Sequence, residues 1–178
     1  MKTESSGAAT ISLREINELD PAAFVSCLGA IYEHSPWVAA GAWPERPFES
    51  IDSLWYAMQA TVEAAARAEQ LALIRAHPEL AGRLALAGDL TEASRREQAG
   101  AGLDRCTPDE FARLQELNAA YRDRFALPFV VAVRGLTRGD IIERLGERLS
   151  NGPEEELATC LHEIGRIARF RLQDLVRE

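Results

Sequence analysis

Three stretches of the sequence carry ionisable or polar side chains where a helical protein buries leucine. The first is Ala76-His77-Pro78-Glu79-Leu80. An Ala- and Leu-rich run from Glu69 to Ala76 reads as helix, and Pro78 restricts the residue before it away from helical angles, so His77 falls at a break. An imidazole at such a junction can reach into a cleft between helices and exchange protons near neutral pH. The alternative reading is a loop or cap histidine bonded to a backbone amide. Pro78 is suited to open a further helix running to about Ala87, with Gly88 near its end.

The second stretch is Ser94-x-x-Glu97-Gln98-x-x-x-Gly102-Leu103. At about 100° per residue, Ser94, Glu97, Gln98 and Ala101 share one side of a helix with Leu90, while Glu92, Arg95 and Arg96 point elsewhere. Ser94-x-x-Glu97 also spells a capping box. Thr91 is an equally good N-cap, however, and would place Ser94 one turn inside the helix. The third stretch is the last helix, expected over about Pro153 to Val176. There Leu157, Leu161, Ile164, Ala168, Leu172 and Leu175 form one apolar arc with Arg171 at its edge, whereas Arg166 and Arg169 point away. A guanidinium on the core side needs an anion, either a protein carboxylate in a buried ion pair or a ligand.

Those groups need a scaffold, and the composition describes one. A chain of 178 residues is long enough to bury a sizeable single core. Ala, Leu, Glu and Arg dominate, β-branched residues are sparse and the apolar spacing is helical almost throughout, which predicts an all-α, single-domain compact bundle. The first ten residues, Met1 to Thr10, are small and polar and are expected to be disordered, with the domain running over 11–178. Helices are expected from about Pro21 to His34, burying Phe24, Leu28 and Tyr32; from Ser35-Pro36 through Trp37; from about Ser50 to Ala68; and from Pro108 to about Phe125. Pro128 breaks the last of these, so the run Phe129-Val130-Val131-Ala132-Val133 is either extended or a buried helix. If extended, its amides can face a ligand as oxyanion-type donors do.

The net charge of −8 and the lack of a Lys/Arg cluster argue against a nucleic-acid surface. No signal segment or bilayer-length apolar run is present, and Leu175-Val176-Arg177-Glu178 is not a peroxisomal tripeptide, so a cytoplasmic enzyme is expected. Cys27, Cys106 and Cys160 are far apart and read as reduced thiols. His34, His77 and His162 have no partner at helical ligand spacing, so no metal is expected, and neither a phosphate loop nor a nucleotide fingerprint is found.

Five motifs in order resemble one family. Glu33-His34-Ser35-Pro36-Trp37, Arg46-Pro47-Phe48, Ile74 to Leu80, Ser94-x-x-Glu97-Gln98 with Gly102-Leu103, and Asn118-x-x-Tyr121-x-x-Arg124-Phe125-x-x-Pro128-Phe129-Val130 are similar to the 2-oxo-4-hydroxy-4-carboxy-5-ureidoimidazoline (OHCU) decarboxylases, over nearly the whole chain. The resemblance implies an all-α fold of roughly eight to ten helices, no cofactor, a homodimer, and a carboxy-lyase acting last in the conversion of urate to (S)-allantoin. It makes His77 the proton-transfer residue, Pro78 a shaper of the pocket, and Ser94, Glu97 and Gln98 substrate contacts. Phe129, Val130, Val131, Ala132 and Val133 would supply backbone and apolar contacts, and Arg171 looks like the family's active-site arginine. The sequence departs from the family at Glu79, usually aspartate, at Arg124, commonly lysine, and at Phe125-Ala126-Leu127-Pro128-Phe129, usually Phe-Gly-Phe-Pro-Phe. Losing that glycine narrows the backbone angles open to the loop. Two other classes stay open on the residues alone: a metal-independent hydrolase of a cyclic ureide, using the same His/Glu pair, and a noncatalytic helical interaction module.

Overall fold

The computed structural model describes residues 10–80 and 90–178. The expected N-terminal disorder and nearly all of the helix expected from Pro78 to Ala87 lie outside the described residues. Nine α-helices are found among the described residues: α1 (Leu13–Glu18), α2 (Pro21–Leu28), α3 (Pro36–Ala42), α4 (Ile51–Ala64), α5 (Arg67–Ala76), α6 (Glu92–Gly100), α7 (Pro108–Phe125), α8 (Arg138–Arg148) and α9 (Pro153–Leu175). The only strands among the described residues are two-residue pieces, β1 (Ile11–Ser12) and β2 (Val176–Arg177), paired in parallel with Ile11 opposite Val176. The fold is all-α, as the composition predicts. None of the described helices is long and apolar enough to cross a membrane. The chain groups into two compact units, one of residues up to Ala65 together with Ala168–Glu178, the other Ala66–Ile167.

In the first unit, Ser12 and Glu15 form a capping box at α1, and Asp20 caps α2 through the Ala23 amide with Pro21 at the first helical position. Ile16, Phe24, Leu28, Val38, Leu54, Met58 and Val62 are fully buried. The proline-punctuated loop is pinned from two sides. Arg46 donates through Nη1 to the carbonyls of Leu19 (2.6 Å) and Asn17 (2.9 Å) and stacks over the Trp43 ring, while the Asn17 side chain bonds both backbone groups of Phe48. Two helices are shorter than their periodicity predicts. α2 ends at Leu28 instead of His34, because Gly29 caps it and the following turn carries His34 at φ 48°; Phe24, Leu28 and Tyr32 are nevertheless buried. The helix expected to reach Ala68 stops at Ala64, since Ala65 and Ala66 are extended and the Glu69 carboxylate accepts the Ala66 amide to open α5.

In the second unit, Thr91, Thr107 and Thr137 each cap a helix with the side-chain hydroxyl. The sequence reading had no helix at α8, although Thr137-x-x-Asp140 writes its capping box plainly. α7 matches its expected bounds, and its Leu114, Leu117, Asn118 and Tyr121 are buried. Pro78 does not open a helix: it and Glu79 are irregular, tethered by an Arg122–Glu79 ion pair and by the Asn118 amide donating to the Leu80 carbonyl at 2.9 Å. The run Phe129–Val133 is neither helix nor strand, yet every residue of it is buried.

Candidate active site

His77 caps the C-terminus of α5 in an extended conformation, φ −76° and ψ 135°, the restriction imposed by the proline after it. The side chain is only 6% exposed, and its Nδ1 lies 2.9 Å from the Leu73 carbonyl. A carbonyl can only accept, so Nδ1 carries the hydrogen in the neutral ring and Nε2 is the nitrogen that takes up or delivers a proton. His77 lines a cavity of about 310 Å³ with Arg75, Glu79, Arg122, Ala126, Leu127 and Pro128. The imidazole therefore stands beside the break that leads into Phe129–Val133. Pro78 is half-buried at the turn.

On α6 the Thr91 hydroxyl accepts the Ser94 amide, which makes Thr91 the N-cap and Ser94 the third helical residue. Glu97 therefore lies a full turn beyond the position a capping box requires. Ser94 and Gln98 are buried and Glu97 half-buried, while Arg95 and Arg96 are exposed, so the polar stripe faces inward as its spacing predicts. Gly102, at φ 74°, ends this segment in a left-handed turn that glycine adopts without a Cβ penalty.

The Phe129–Val133 segment is held by polar groups. The Ala132 amide donates to Glu163 Oε2 at 2.8 Å, so one of the five expected donors already has a protein acceptor. The Val130 carbonyl accepts from Arg148 Nη1 at 2.6 Å. The Phe129 ring packs edge-on to Tyr121 and under the Arg148 guanidinium, centroid distances 5.4 and 4.6 Å, so its side chain belongs to the core. Behind the segment, the fully buried Glu156 accepts hydrogen bonds from Tyr121, Arg148 and Asn151. Burial disfavours the Arg148 charge most strongly of any single effect, but the Glu156 hydrogen bond and the charge interactions with Cys160, Glu156 and Tyr121 together more than offset it, and the guanidinium is held above its ordinary value. Burial likewise raises the Tyr121 hydroxyl and pushes the neighbouring Cys160 thiol up to about 11. The sequence reading missed Arg148, Glu156 and Glu163; the signal was Glu156, Cys160 and Glu163 recurring at helical spacing on α9.

Arg171 belongs to the first unit. Its Nη1 donates to Glu33 Oε2 at 2.8 Å and to the Ile31 carbonyl at 3.3 Å, with both charged residues buried. Its position at the apolar edge is as predicted, and the anion observed there is a protein carboxylate from the Glu33-His34-Ser35-Pro36-Trp37 motif. Arg169 is exposed on Asp52, and Arg166 pairs with Glu163.

The family model described as OHCU decarboxylase matches residues 17–173. The chain is 41% identical, over 93% of its length and 92% of the relative, to the 2-oxo-4-hydroxy-4-carboxy-5-ureidoimidazoline decarboxylase of Halalkalicoccus jeotgali. It is 42% identical to the protein of that name from Mus musculus over 91% of both chains. Identity is also 42% to the uric acid degradation bifunctional protein of a Bacillus species, of which it spans 32%. Among solved structures, (S)-allantoin synthase superimposes with a TM-score of 0.76 at 30% identity, covering 93% of this chain and 54% of that one. An OHCU decarboxylase crystallised in the presence of (S)-allantoin shares the fold, with a TM-score of 0.66 at 20% identity over 88% of this chain and 98% of that one. Residues 17–173 take in all five of the ordered motifs, and the chain belongs to the OHCU decarboxylase family.

Proposed function

We propose that this chain is a cofactor-independent carboxy-lyase that converts OHCU to (S)-allantoin and carbon dioxide in urate degradation. The observation that carries the reading is the environment of His77, a buried imidazole whose Nδ1 is engaged by the Leu73 carbonyl and which lines a cavity with Leu127 and Pro128. Decarboxylation needs somewhere for the electron pair of the breaking carbon–carboxylate bond to go. OHCU offers a neighbouring carbon–nitrogen double bond, so the substrate is its own electron sink. The pair becomes a carbon–carbon double bond, the imine π pair moves to nitrogen, and nitrogen takes a proton. Loss of the hydroxyl proton and protonation of the adjacent ring carbon on one face then give (S)-allantoin.

In this scheme His77, with Glu97 as its anionic partner, handles the hydroxyl proton. Ser94 and Gln98 hold the ring and ureido groups, and Pro78 shapes the pocket. Backbone groups of Phe129 to Val133 contact the substrate, and Arg171 is a candidate for its carboxylate. Of these roles, those of Ser94 and Gln98 are supported by buried polar side chains on one face of α6. Cytoplasmic residence and a homodimeric state belong to the same proposal; sedimentation should give about twice 19.6 kDa. The deciding assay supplies freshly generated OHCU and follows carbon dioxide together with the circular dichroism of allantoin. Stoichiometric carbon dioxide with an excess of the S form is expected. Ring opening without carbon dioxide would make the enzyme a hydrolase and overturn the reading.

A further inference from the structure

Glu163 and Glu156 on α9 have no role in the proton transfer proposed above, yet both are buried and both act on the Phe129–Val133 segment. They are two turns apart, which separates them by about 10 Å along the helix axis. Glu163 reaches the segment directly at the Ala132 amide. Glu156 reaches it through Arg148, accepting from Nε at 2.9 Å while Nη1 of the same guanidinium donates to the Val130 carbonyl. Val130 and Ala132 stand two residues apart in a buried segment that is neither helix nor strand. One clamp takes a carbonyl and the other an amide, both on even-numbered residues of the segment.

We infer that Glu163 and the Glu156-oriented Arg148 are positioning residues for substrate binding: they bind the Val130 carbonyl and the Ala132 amide to the protein and so fix the orientation in which the rest of the segment meets the ligand. The inference rests on the reading of this segment as a substrate contact. An unclamped segment could rotate about its length and carry its backbone groups out of the orientation that the two clamps hold. A carboxylate at 163 is suited to the task because it accepts the amide while also pairing with Arg166 at 3.0 Å, which fixes its orientation.

The test compares Glu163→Gln, which keeps an acceptor for the Ala132 amide, with Glu163→Leu, which removes it. Should the leucine variant fail to fold, Glu163→Ala, which leaves room for water, carries the same comparison. For the active protein, Glu163→Leu should raise KM about tenfold, the value of one hydrogen bond to a charged group, with kcat per folded molecule changed less than threefold; Glu163→Gln should stay within threefold on both. Amide hydrogen exchange of a peptide covering 129–133 should accelerate in Glu163→Leu and remain slow in Glu163→Gln. Equal KM in all three proteins, or equal KM increases for Gln and Leu, would overturn the positioning role. If the wild type does not decarboxylate OHCU, the function reading fails by itself, and the exchange comparison still decides whether Glu163 clamps the segment: unchanged exchange in Glu163→Leu overturns the clamp.

Discussion

A buried histidine bonded to its own helix's carbonyl could serve structure or catalysis, and single substitutions separate the two. His77→Asn can still donate to the Leu73 carbonyl but cannot exchange protons near neutral pH, so kcat should fall on the order of 10²-fold or more while helix content is retained. Near-normal turnover would remove His77 from the mechanism. Glu97→Gln tests charge apart from shape. Because Thr91 caps α6, the swap disturbs no cap, and a rate loss on the order of tenfold or more with an unchanged melting temperature is expected if Glu97 stabilises a His77 imidazolium. Equal losses in rate and stability would instead mark Glu97 as structural. Arg171 has a structural duty already visible. Arg171→Leu would take the guanidinium away from the buried Glu33 carboxylate and should cost about 3–5 kcal/mol in a urea titration. Arg171→Lys keeps a charge but not the planar fork. It should reduce the thermal shift produced by an unreactive allantoin-like ligand, whereas Arg169→Lys, on the exposed Asp52 pair, should not. A ligand shift that survives in Arg171→Lys and vanishes in Arg169→Lys would end the candidacy of Arg171.

At the scale of elements, caps and proline breaks were readable and tethers were not. Thr91 as N-cap, the Asp20-Pro21 start and the full extent of α7 follow from local chemistry between residues a few positions apart. The inward stripe of Ser94 and Gln98 follows from helical period alone. The partners of Phe129–Val133 lie 18 and 31 residues away, and Arg171 meets Glu33 across 138, separations at which no spacing rule operates. One element departs from its best local sequence. Ala126 closes α7 in the left-handed region, φ 55° and ψ 31°, at the position where the resembled family carries glycine. An L-residue there costs about 1–2 kcal/mol, and glycine's greater unfolded entropy offsets about 0.5–1 of it. Ala126→Gly should therefore stabilise the protein by about 0.5–1 kcal/mol, read as a higher urea midpoint at constant slope. A lower midpoint would mean that the methyl group, on a residue lining the His77 cavity, packs better than its backbone angle suggests.

At the scale of the whole molecule, the all-α class was legible because the sequence is rich in helix formers and its apolar period is helical nearly throughout. The chemistry was less so, since decarboxylation usually requires an electron sink that a sequence announces through a cofactor motif. The proposed reaction moves that requirement into the substrate, whose carbon–nitrogen double bond accepts the electron pair, and leaves the protein to hold geometry and transfer protons. Exhaustive dialysis against EDTA, followed by assay in metal-free buffer, should therefore leave the rate of carbon dioxide release unchanged, and added magnesium or zinc should not raise it. A rate that collapses on dialysis and returns with a divalent cation would place Lewis-acid catalysis at the centre of the reaction. His77 would then have to be reconsidered as a metal ligand through Nε2, with Nδ1 engaged by the Leu73 carbonyl.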